Sequence, residues 1–228
     1  MKLVKNNDPI STLRPQNHLS ILDQGIPLPA YFPIDLSVSN KELIKLDITD
    51  TDRCESYINQ FLQANDGQVA YGGYLEVRNL YADKPSFKVG KNPRNIHLGI
   101  DFWARAGTTV IAPLDGVVHS FRNNSNKGDY GPAIILEHHT PAETWYTLYG
   151  HLSLESLENL ETGRLYKAGS VLGTLGTPDI NVNYAPHLHF QLIRDIGPYL
   201  GDYPGVCSVD ELEFYRNNCP DPSILLDL

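Results

Sequence analysis

Short apolar and alternating runs, separated by turn residues, dominate the chain from residue 71 onward. Gly131 followed by Pro132 is one of several dipeptides between the runs that are typical of tight turns. The runs are rich in the β-branched and aromatic residues that favour strands. They lie at residues 74–81, 98–103, 109–112, 116–121, 133–138, 144–150, 171–175 and 188–193. This pattern predicts a mainly β fold.

Two segments carry helical signals instead. Between residues 52 and 64, apolar residues recur at i, i+3, i+4, i+7 and i+8, which places them on one face of a helix. Asp52 with Glu55 resembles a capping box at the start of this helix. Ser208 with Glu211 has the same spacing and predicts a second, short helix near the C-terminus.

The distribution of these elements divides the chain into three parts. Residues 1–50 are interrupted by prolines, which discourage regular structure, so we expect an extended arm there. The prediction is an N-terminal extension with one helix over residues 1–70, a β domain over 71–200, and a C-terminal tail over 201–228 that packs on the core.

Charge and hydropathy exclude several classes of protein. The chain has 18 Lys and Arg against 27 Asp and Glu, a net charge of −9. Binding to nucleic acid or to an anionic membrane surface needs a basic surface, so neither partner is expected. No apolar run approaches the roughly 20 residues that span a bilayer, and the start shows no signal peptide. We therefore expect a cytoplasmic protein, or a periplasmic or secreted one if the start is trimmed.

The three cysteines, Cys54, Cys207 and Cys219, do not form a metal-binding pattern. Their number is odd and no CxxC pair is present, which argues against a disulfide framework and against a thiolate zinc site. Separate buried thiols and a single bridge between Cys207 and Cys219 both remain open.

The sharpest chemical signal is the pair of histidines at positions 187 and 189. Side chains alternate between the faces of a strand, so His187 and His189 point the same way while Leu188 and Phe190 point into a core. Two imidazoles on one face can act on one metal ion or one substrate. The alternative is a pair of histidines on an exposed face of a sheet.

A second signal is His97 followed four residues later by Asp101, two common types of zinc ligand. Four residues of straight strand span about 13 Å, too far for one ion. The chain must therefore bend between them, and Gly99 permits the bend. The alternative is a lone histidine and an aspartate that caps a turn.

His151, at the end of an aromatic run, completes a set of four histidines and one aspartate. Three ligands with an open position are the arrangement of a catalytic zinc, and two histidines then remain for proton transfer. Two histidines and one carboxylate also form the site of non-haem iron oxygenases, which is an alternative for this chain.

Five motifs together carry a family resemblance. In chain order they are HLGIDF (97–102), GTTVIAPLDGVV (107–118), YGHLS (149–153), GSVLGTLG (169–176) and PHLHF (186–190). They resemble the motifs of the lysostaphin-type (LytM-type) zinc metallopeptidases over about residues 94–194. The resemblance implies a two-layer antiparallel β fold with a groove over one zinc ion, and hydrolysis of peptide bonds, usually in peptidoglycan cross-links.

The same resemblance implies roles for individual residues. His97, Asp101 and His189 match the zinc ligands, and His151 and His187 match the two active-site histidines that do not bind the metal. Apart from the resemblance, Arg94 is a candidate for binding a substrate carboxylate, with a solvated surface arginine as the alternative. Strand alternation places Tyr149 on the face of His151, which makes it a candidate for lining the groove, with a place in the core as the alternative.

The chain also departs from the family pattern. Gln191 stands where the family usually has Glu, and residues 179–186 lack the usual Gly, Ser and Thr. The flanking segments 74–81, 202–206 and 219–222 resemble the metallopeptidase-like part of fusion proteins that also carry a small-molecule kinase domain and a pyridoxal-phosphate aminotransferase. That likeness favours a small amide or peptide over intact cell wall.

These observations predict a zinc-dependent metallopeptidase that binds one zinc ion and acts on a peptide or muropeptide-like substrate. One alternative is a non-catalytic module of the same fold that binds peptides or activates a partner; a non-haem iron oxygenase is the other. The sequence does not predict the oligomeric state.

Overall fold

The computed structural model describes residues 13, 20–88, 92–141 and 143–226. Helices are few in this part of the chain, and strands are many and short. The two α-helices are α1 Thr51–Ala64 and α2 Leu212–Asn218. The strands are β1 Tyr31–Pro33, β2 Val69–Gly72, β3 Ile96–His97, β4 Ile100–Trp103, β5 Thr109–Ile111, β6 Gly116–Asn124, β7 Gly131–His139, β8 Thr144–Gly150, β9 Leu165–Tyr166, β10 Val171–Thr174, β11 His187–Ile193 and β12 Val206–Cys207.

One eight-stranded sheet organises the fold, in the order β1-β2-β4-β11-β8-β7-β6-β9. Its neighbouring strands pair antiparallel, except for β1 and β2, which pair in parallel. Strands β5 and β10 form a second, two-stranded sheet, and β3 and β12 form a third. The predicted mainly β, antiparallel fold is confirmed.

Strand β11 shows the predicted division of its two faces. Leu188, Phe190 and Leu192 are fully buried and belong to the main hydrophobic core. His187 and His189 alternate with them and therefore lie on the opposite face of the sheet. This alternation places both imidazoles where a site can form without disturbing the core.

Two predictions of local structure were wrong in detail. Residues 74–81 form turns and isolated bridges instead of a strand, because Gly73 and Leu75 take positive φ values of 105° and 56° that break the extended path. The cap of α1 is Asp50, not Asp52, since the Asp50 carboxylate accepts the backbone N–H of Arg53.

Other local predictions are confirmed. The capping box at Ser208 and Glu211 is present, and a short 3₁₀ turn, Val209–Glu211, leads from it into α2. Cys54, Cys207 and Cys219 are buried free thiols. Among the described residues, we find no helix with the length and apolar character needed to cross a membrane.

The predicted division at residues 70 and 200 stays a prediction. Strands β1 and β2 contribute to the edge of the main sheet, so described residues on both sides of position 70 share that sheet. Most of residues 1–19 lie outside the described part of the chain.

Candidate metal centre and active site

The middle of the main sheet brings three of the predicted site residues together. Strand β11 lies between β4 and β8, and His189 is directly opposite Asp101 on β4. His97 ends β3, which pairs with β12 instead of with the main sheet. The chain therefore changes sheets between His97 and Asp101, as the spacing of the two residues predicted.

Gly99 is required at this change of sheet. A Cβ atom at position 99 would lie 2.6 Å from the carbonyl oxygen of Phe190 and 2.8 Å from the His189 ring. Both distances are shorter than side-chain contacts allow, so only glycine lets β4 approach β11 this closely.

Three donor atoms converge at the centre of the site. The Nε2 atom of His97 lies 2.8 Å from Nδ1 of His189, and each of these nitrogens lies 3.2 Å from Oδ1 of Asp101. All three side chains are almost completely buried. These are the two imidazoles and one carboxylate of the predicted ligand set.

Hydrogen bonds on the far side of each ring determine which nitrogen carries the proton. His97 donates from Nδ1 to the Gly73 carbonyl (3.0 Å), and His189 donates from Nε2 to Oε1 of Gln191 (2.9 Å). The Gln191 amide is itself oriented, because its Nε2 donates to the Pro204 carbonyl and to the Cys219 sulfur. In the neutral tautomers that these outer bonds select, His97 and His189 direct unprotonated nitrogens at each other.

This donor set fits a divalent cation. Two unprotonated nitrogens and a carboxylate oxygen, packed together in a buried site, repel one another unless a positive charge lies between them. Two imidazoles and a carboxylate form a common zinc ligand set, and oriented outer hydrogen bonds of this kind are typical of metal-binding histidines. His97, Asp101 and His189 are the residues that would hold the ion.

Arg78 lies beneath this site and holds the second oxygen of Asp101. It is 1% exposed, donates from Nη1 to Oδ2 of Asp101, and donates from Nε to the Glu76 carboxylate. Burial alone would lower the pKa of Arg78, but the neighbouring carboxylates raise it well above its ordinary value. Asp101 therefore keeps its charge, and Oδ1 remains available to a metal ion.

Replacement of Arg78 by methionine is expected to cost about 3–5 kcal/mol of folding free energy, because it leaves the buried carboxylate of Asp101 and the partly buried carboxylate of Glu76 without a cation. Denaturant unfolding of the purified variant measures the loss. Arg105→Met, at an exposed arginine, is the matched control and should change stability by less than about 0.5 kcal/mol. An Arg78→Met variant as stable as this control would contradict the described ion-pair network.

The two histidines predicted as non-ligands lie together beside the donor set. The rings of His151 and His187 have centroids 4.1 Å apart, and His187 stacks on Trp103 at 4.1 Å. His187 donates from Nδ1 to the Ala185 carbonyl, so its unprotonated Nε2, 4.0 Å from Oδ1 of Asp101, faces the site. His151 follows β8 in a left-handed conformation, with φ of 63°.

Burial keeps the imidazoles of His97, His151 and His187 neutral in the metal-free protein. It lowers the pKa of His97 and of His187 to about 4, and it lowers the pKa of His151 well below the ordinary value. Neutral imidazoles are the form that binds metal ions and accepts protons. At neutral pH the site is therefore already in the protonation state that both roles need.

The same shifts predict that the metal-free protein loses stability as pH falls from 7 towards 4. The unfolded chain takes up protons near pH 6.5, whereas folded His97 and His187 take them up only near pH 4, so protons favour unfolding in this window. The expected loss is on the order of 1–2 kcal/mol per buried histidine at pH 5. Thermal unfolding of chelator-treated protein at pH 7 and pH 5 checks this, and an equal or higher melting temperature at pH 5 would contradict it.

A cavity of about 380 Å³ opens over the site. Its lining residues show which of the two predicted substrate-binding residues, Arg94 and Tyr149, can reach a substrate. Arg94 lines the cavity and donates from Nε and Nη2 to the Val206 carbonyl. Tyr149 does not line it: the side chain is fully buried in the core against Phe190. The prediction for Tyr149 was wrong because β8 ends at Gly150, so strand alternation does not extend to His151.

Sequence reasoning missed several residues that shape the site. Arg78 was not singled out because residues 74–81 were interpreted as a strand. The available signal was a pair of opposite charges, Glu76 and Arg78, two residues apart in a largely apolar run. Gln191 was noticed only as a departure from a family pattern, and its bond to His189 depends on the fold. Tyr130 and Tyr184 border His151, with ring centroids 5.7 and 5.3 Å away, and no sequence signal marked them.

Comparison with known proteins agrees with this geometry. The model of peptidase family M23 matches residues 95–199, which include the three strands that carry the metal-ligand candidates and also His151 and His187. The chain is 36% identical over 96 residues to the DD-carboxypeptidase/endopeptidase Mpg of Neisseria meningitidis, covering 42% of this chain and 20% of that protein. It is 32% identical over 112 residues to the peptidoglycan DD-endopeptidase ShyC of Vibrio cholerae, covering 45% and 23%.

The chain thus spans less than a quarter of the length of these two curated relatives. Among solved structures, the catalytic domain of lysostaphin from Staphylococcus simulans is 26% identical, with 54% of this chain and 80% of that chain covered and a TM-score of 0.35. LytU is also 26% identical, with 58% and 81% covered and a TM-score of 0.36. The match to the model of peptidase family M23 thus covers a little under half of the chain, and that part contains all five residues of the candidate metal centre and active site.

Proposed function

We propose that this protein is a zinc-dependent metallopeptidase that hydrolyses an amide bond in a peptide or peptidoglycan-like peptide. The observation that carries the proposal is the convergence of unprotonated His97 Nε2 and His189 Nδ1 with Asp101 Oδ1, next to two further neutral histidines. A bound zinc ion would supply Lewis acidity there, polarising a carbonyl group and lowering the pKa of water.

His187 is the residue best placed to move a proton. Its Nδ1 proton is held by the Ala185 carbonyl, so only Nε2 is free to accept a proton from the attacking water. The protonated ring can then return that proton to the leaving amine. Stacking on Trp103 keeps the ring in this orientation during both steps.

His151 complements this role from a position directly beside His187. Its Nδ1 atom is buried and has no hydrogen-bond partner among the described residues. The backbone N–H of His151 donates to the Tyr130 carbonyl, and its carbonyl accepts the N–H of Gly176, so the residue is held firmly. We assign it to hydrogen bonding with the substrate as the carbonyl becomes tetrahedral.

The names of the relatives indicate the substrate to test first, since ShyC is named a peptidoglycan DD-endopeptidase and Mpg a DD-carboxypeptidase/endopeptidase. The experiment incubates the purified chain with intact peptidoglycan, soluble muropeptides and small dipeptides containing D-amino acids, with and without chelator, and identifies products by mass spectrometry. Chelator-sensitive cleavage of any member supports the proposal. A zinc-loaded chain that cleaves none of them would favour a non-catalytic peptide-binding module, and oxygen consumption with bound iron would favour an oxygenase.

The preferred substrate also bears on the compartment of the protein. Cleavage of intact peptidoglycan would favour a location outside the cytoplasmic membrane. A preference for small peptides would favour the predicted cytoplasmic location, which we retain as a proposal.

A further inference from the structure

Two carboxylates line the cavity without a basic partner. Asp129 and Asp202 both contribute to its wall, and neither forms an ion pair among the residues that the structure describes. One oxygen of Asp129 accepts the backbone N–H of Tyr130 at 2.9 Å. The other acceptor positions of the two carboxylates are available to a ligand in the cavity.

Tyr130 lines the same cavity as these carboxylates, and its hydroxyl group is unpartnered in the part of the chain that the structure describes. Tyr130 is 8% exposed, lines the cavity, and its hydroxyl has no hydrogen-bond partner among the described residues. The hydroxyl lies so close to the chain at Gly205 that a Cβ atom there would be 2.0 Å from it. A buried hydroxyl without a partner is costly, so a ligand atom is the natural partner for it.

Tyr130 also links this part of the wall to the metal centre. Its ring centroid lies 5.1 Å from that of His189, while its hydroxyl reaches the segment that contains Asp202 and Gly205. A ligand that extends along the Tyr130 side chain therefore contacts both the metal centre and the wall segment that contains Asp202. The cavity of about 380 Å³ is of the size that encloses a small ligand.

The charges on this wall leave a negative region that a cation would neutralise. Burial and the neighbouring Asp202 raise the pKa of Asp129 to about 6, and Arg122 and Arg94 offset this only in part. Arg94 is bonded to the Val206 carbonyl through two of its nitrogens. Lys127, which also lines the cavity, pairs with Asp83.

We propose that Asp129, Asp202 and the Tyr130 hydroxyl form a subsite for a primary ammonium group, so that the substrate is a short peptide or amide with a free amino group. An ammonium group has three N–H donors, which match two carboxylates and one hydroxyl oxygen. This inference rests on the proposed function, because it places the ammonium and the hydrolysed amide in one cavity.

The test compares Ala-Ala-Ala with N-acetyl-Ala-Ala-Ala, which differ in whether the amino group is charged. Each is titrated by NMR into the zinc-loaded chain of residues 1–228, so that binding and any hydrolysis are read in the same sample. The wild type is expected to bind the free peptide about tenfold more tightly or better, the scale of a charge-assisted hydrogen bond. Asp202→Asn is expected to reduce this preference to about twofold or less.

Two further variants show whether the effect belongs to the subsite. Tyr130→Phe, which removes only the hydroxyl, is expected to reduce the preference by a smaller factor than Asp202→Asn. Asp52→Asn, at an exposed aspartate of α1 outside the cavity, is the matched control and should keep the full preference. Circular dichroism of each variant checks that it is folded.

Several results would overturn the ammonium subsite. Equal binding of the two peptides, binding of neither, or an unchanged preference in Asp202→Asn would each do so. A second divalent cation in the wild type that is lost in Asp202→Asn would assign the carboxylates to a metal ion instead. Hydrolysis of both peptides at equal rates would refute the subsite and leave the proposed function standing. Selective binding by a chain that hydrolyses neither these peptides nor any member of the substrate panel would support the subsite and refute the proposed function.

Discussion

Replacement of His97 or His189 by alanine is expected to reduce bound zinc from about one ion per chain to less than about a tenth of that. Each substitution removes one of three converging donor atoms, and the remaining imidazole and Asp101 are too few to hold the ion. Elemental analysis of the purified, zinc-dialysed variants measures the effect.

The control for this experiment is His139→Ala. The side chain of His139, the last residue of β7, is 65% exposed and forms polar contacts with Glu137 and Thr144, away from the donor set. This variant should keep the full zinc content. Stoichiometric zinc in both His97→Ala and His189→Ala would refute the ligand set.

Replacement of His151 by alanine is expected to leave zinc content unchanged and to lower turnover by about 10² or more, the scale of lost acid–base or transition-state hydrogen bonding. The reason is that His151 borders the cavity and contacts His187 but is not one of the three converging donors. Steady-state kinetics on whichever substrate the panel identifies, with metal analysis of the same sample, measure both quantities.

A second variant, His151→Asn, separates the loss of the imidazole from a change of backbone conformation at position 151. His151 has a φ of 63°, a conformation that asparagine tolerates better than alanine. His151→Asn should therefore fold at least as well as His151→Ala and show a similar loss of turnover. Turnover near that of the wild type in a folded His151→Asn variant would remove this imidazole from the mechanism.

The elements that were predictable from the sequence are those whose signal is local. Alternation along β11 placed His187 and His189 on one face and Leu188 on the other, and the structure agrees. The distance between His97 and Asp101 required a bend, and the chain does change sheets at Gly99. In both cases the constraint lies within a few residues of the motif.

The parts that were not predictable depend on contacts between distant segments. Arg78 reaches Asp101 across 23 positions, and its burial beneath the site cannot be inferred from residues 74–81 alone. Tyr149 was misplaced because the chain leaves the extended conformation at His151, where φ becomes positive. Neither hydropathy nor spacing carries information about such a local reversal.

The bond from Gln191 to His189 illustrates the same limit at the metal centre. The two residues are neighbours on one face of β11, so their proximity was predictable. The direction of the Gln191 amide was not, because it depends on the Pro204 carbonyl and the Cys219 sulfur, which come from other parts of the chain. That direction decides which nitrogen of His189 is free for a metal ion.

The most direct test of the proposed zinc peptidase is a titration of zinc into the metal-free protein while hydrolysis of a peptide substrate is followed. We expect no hydrolysis without metal, and a rate that rises in proportion to added zinc and reaches a plateau at about one ion per chain. Hydrolysis at full rate in the metal-free protein, or none at any zinc concentration, would contradict the assignment of His97, Asp101 and His189 as the centre of a zinc-dependent active site.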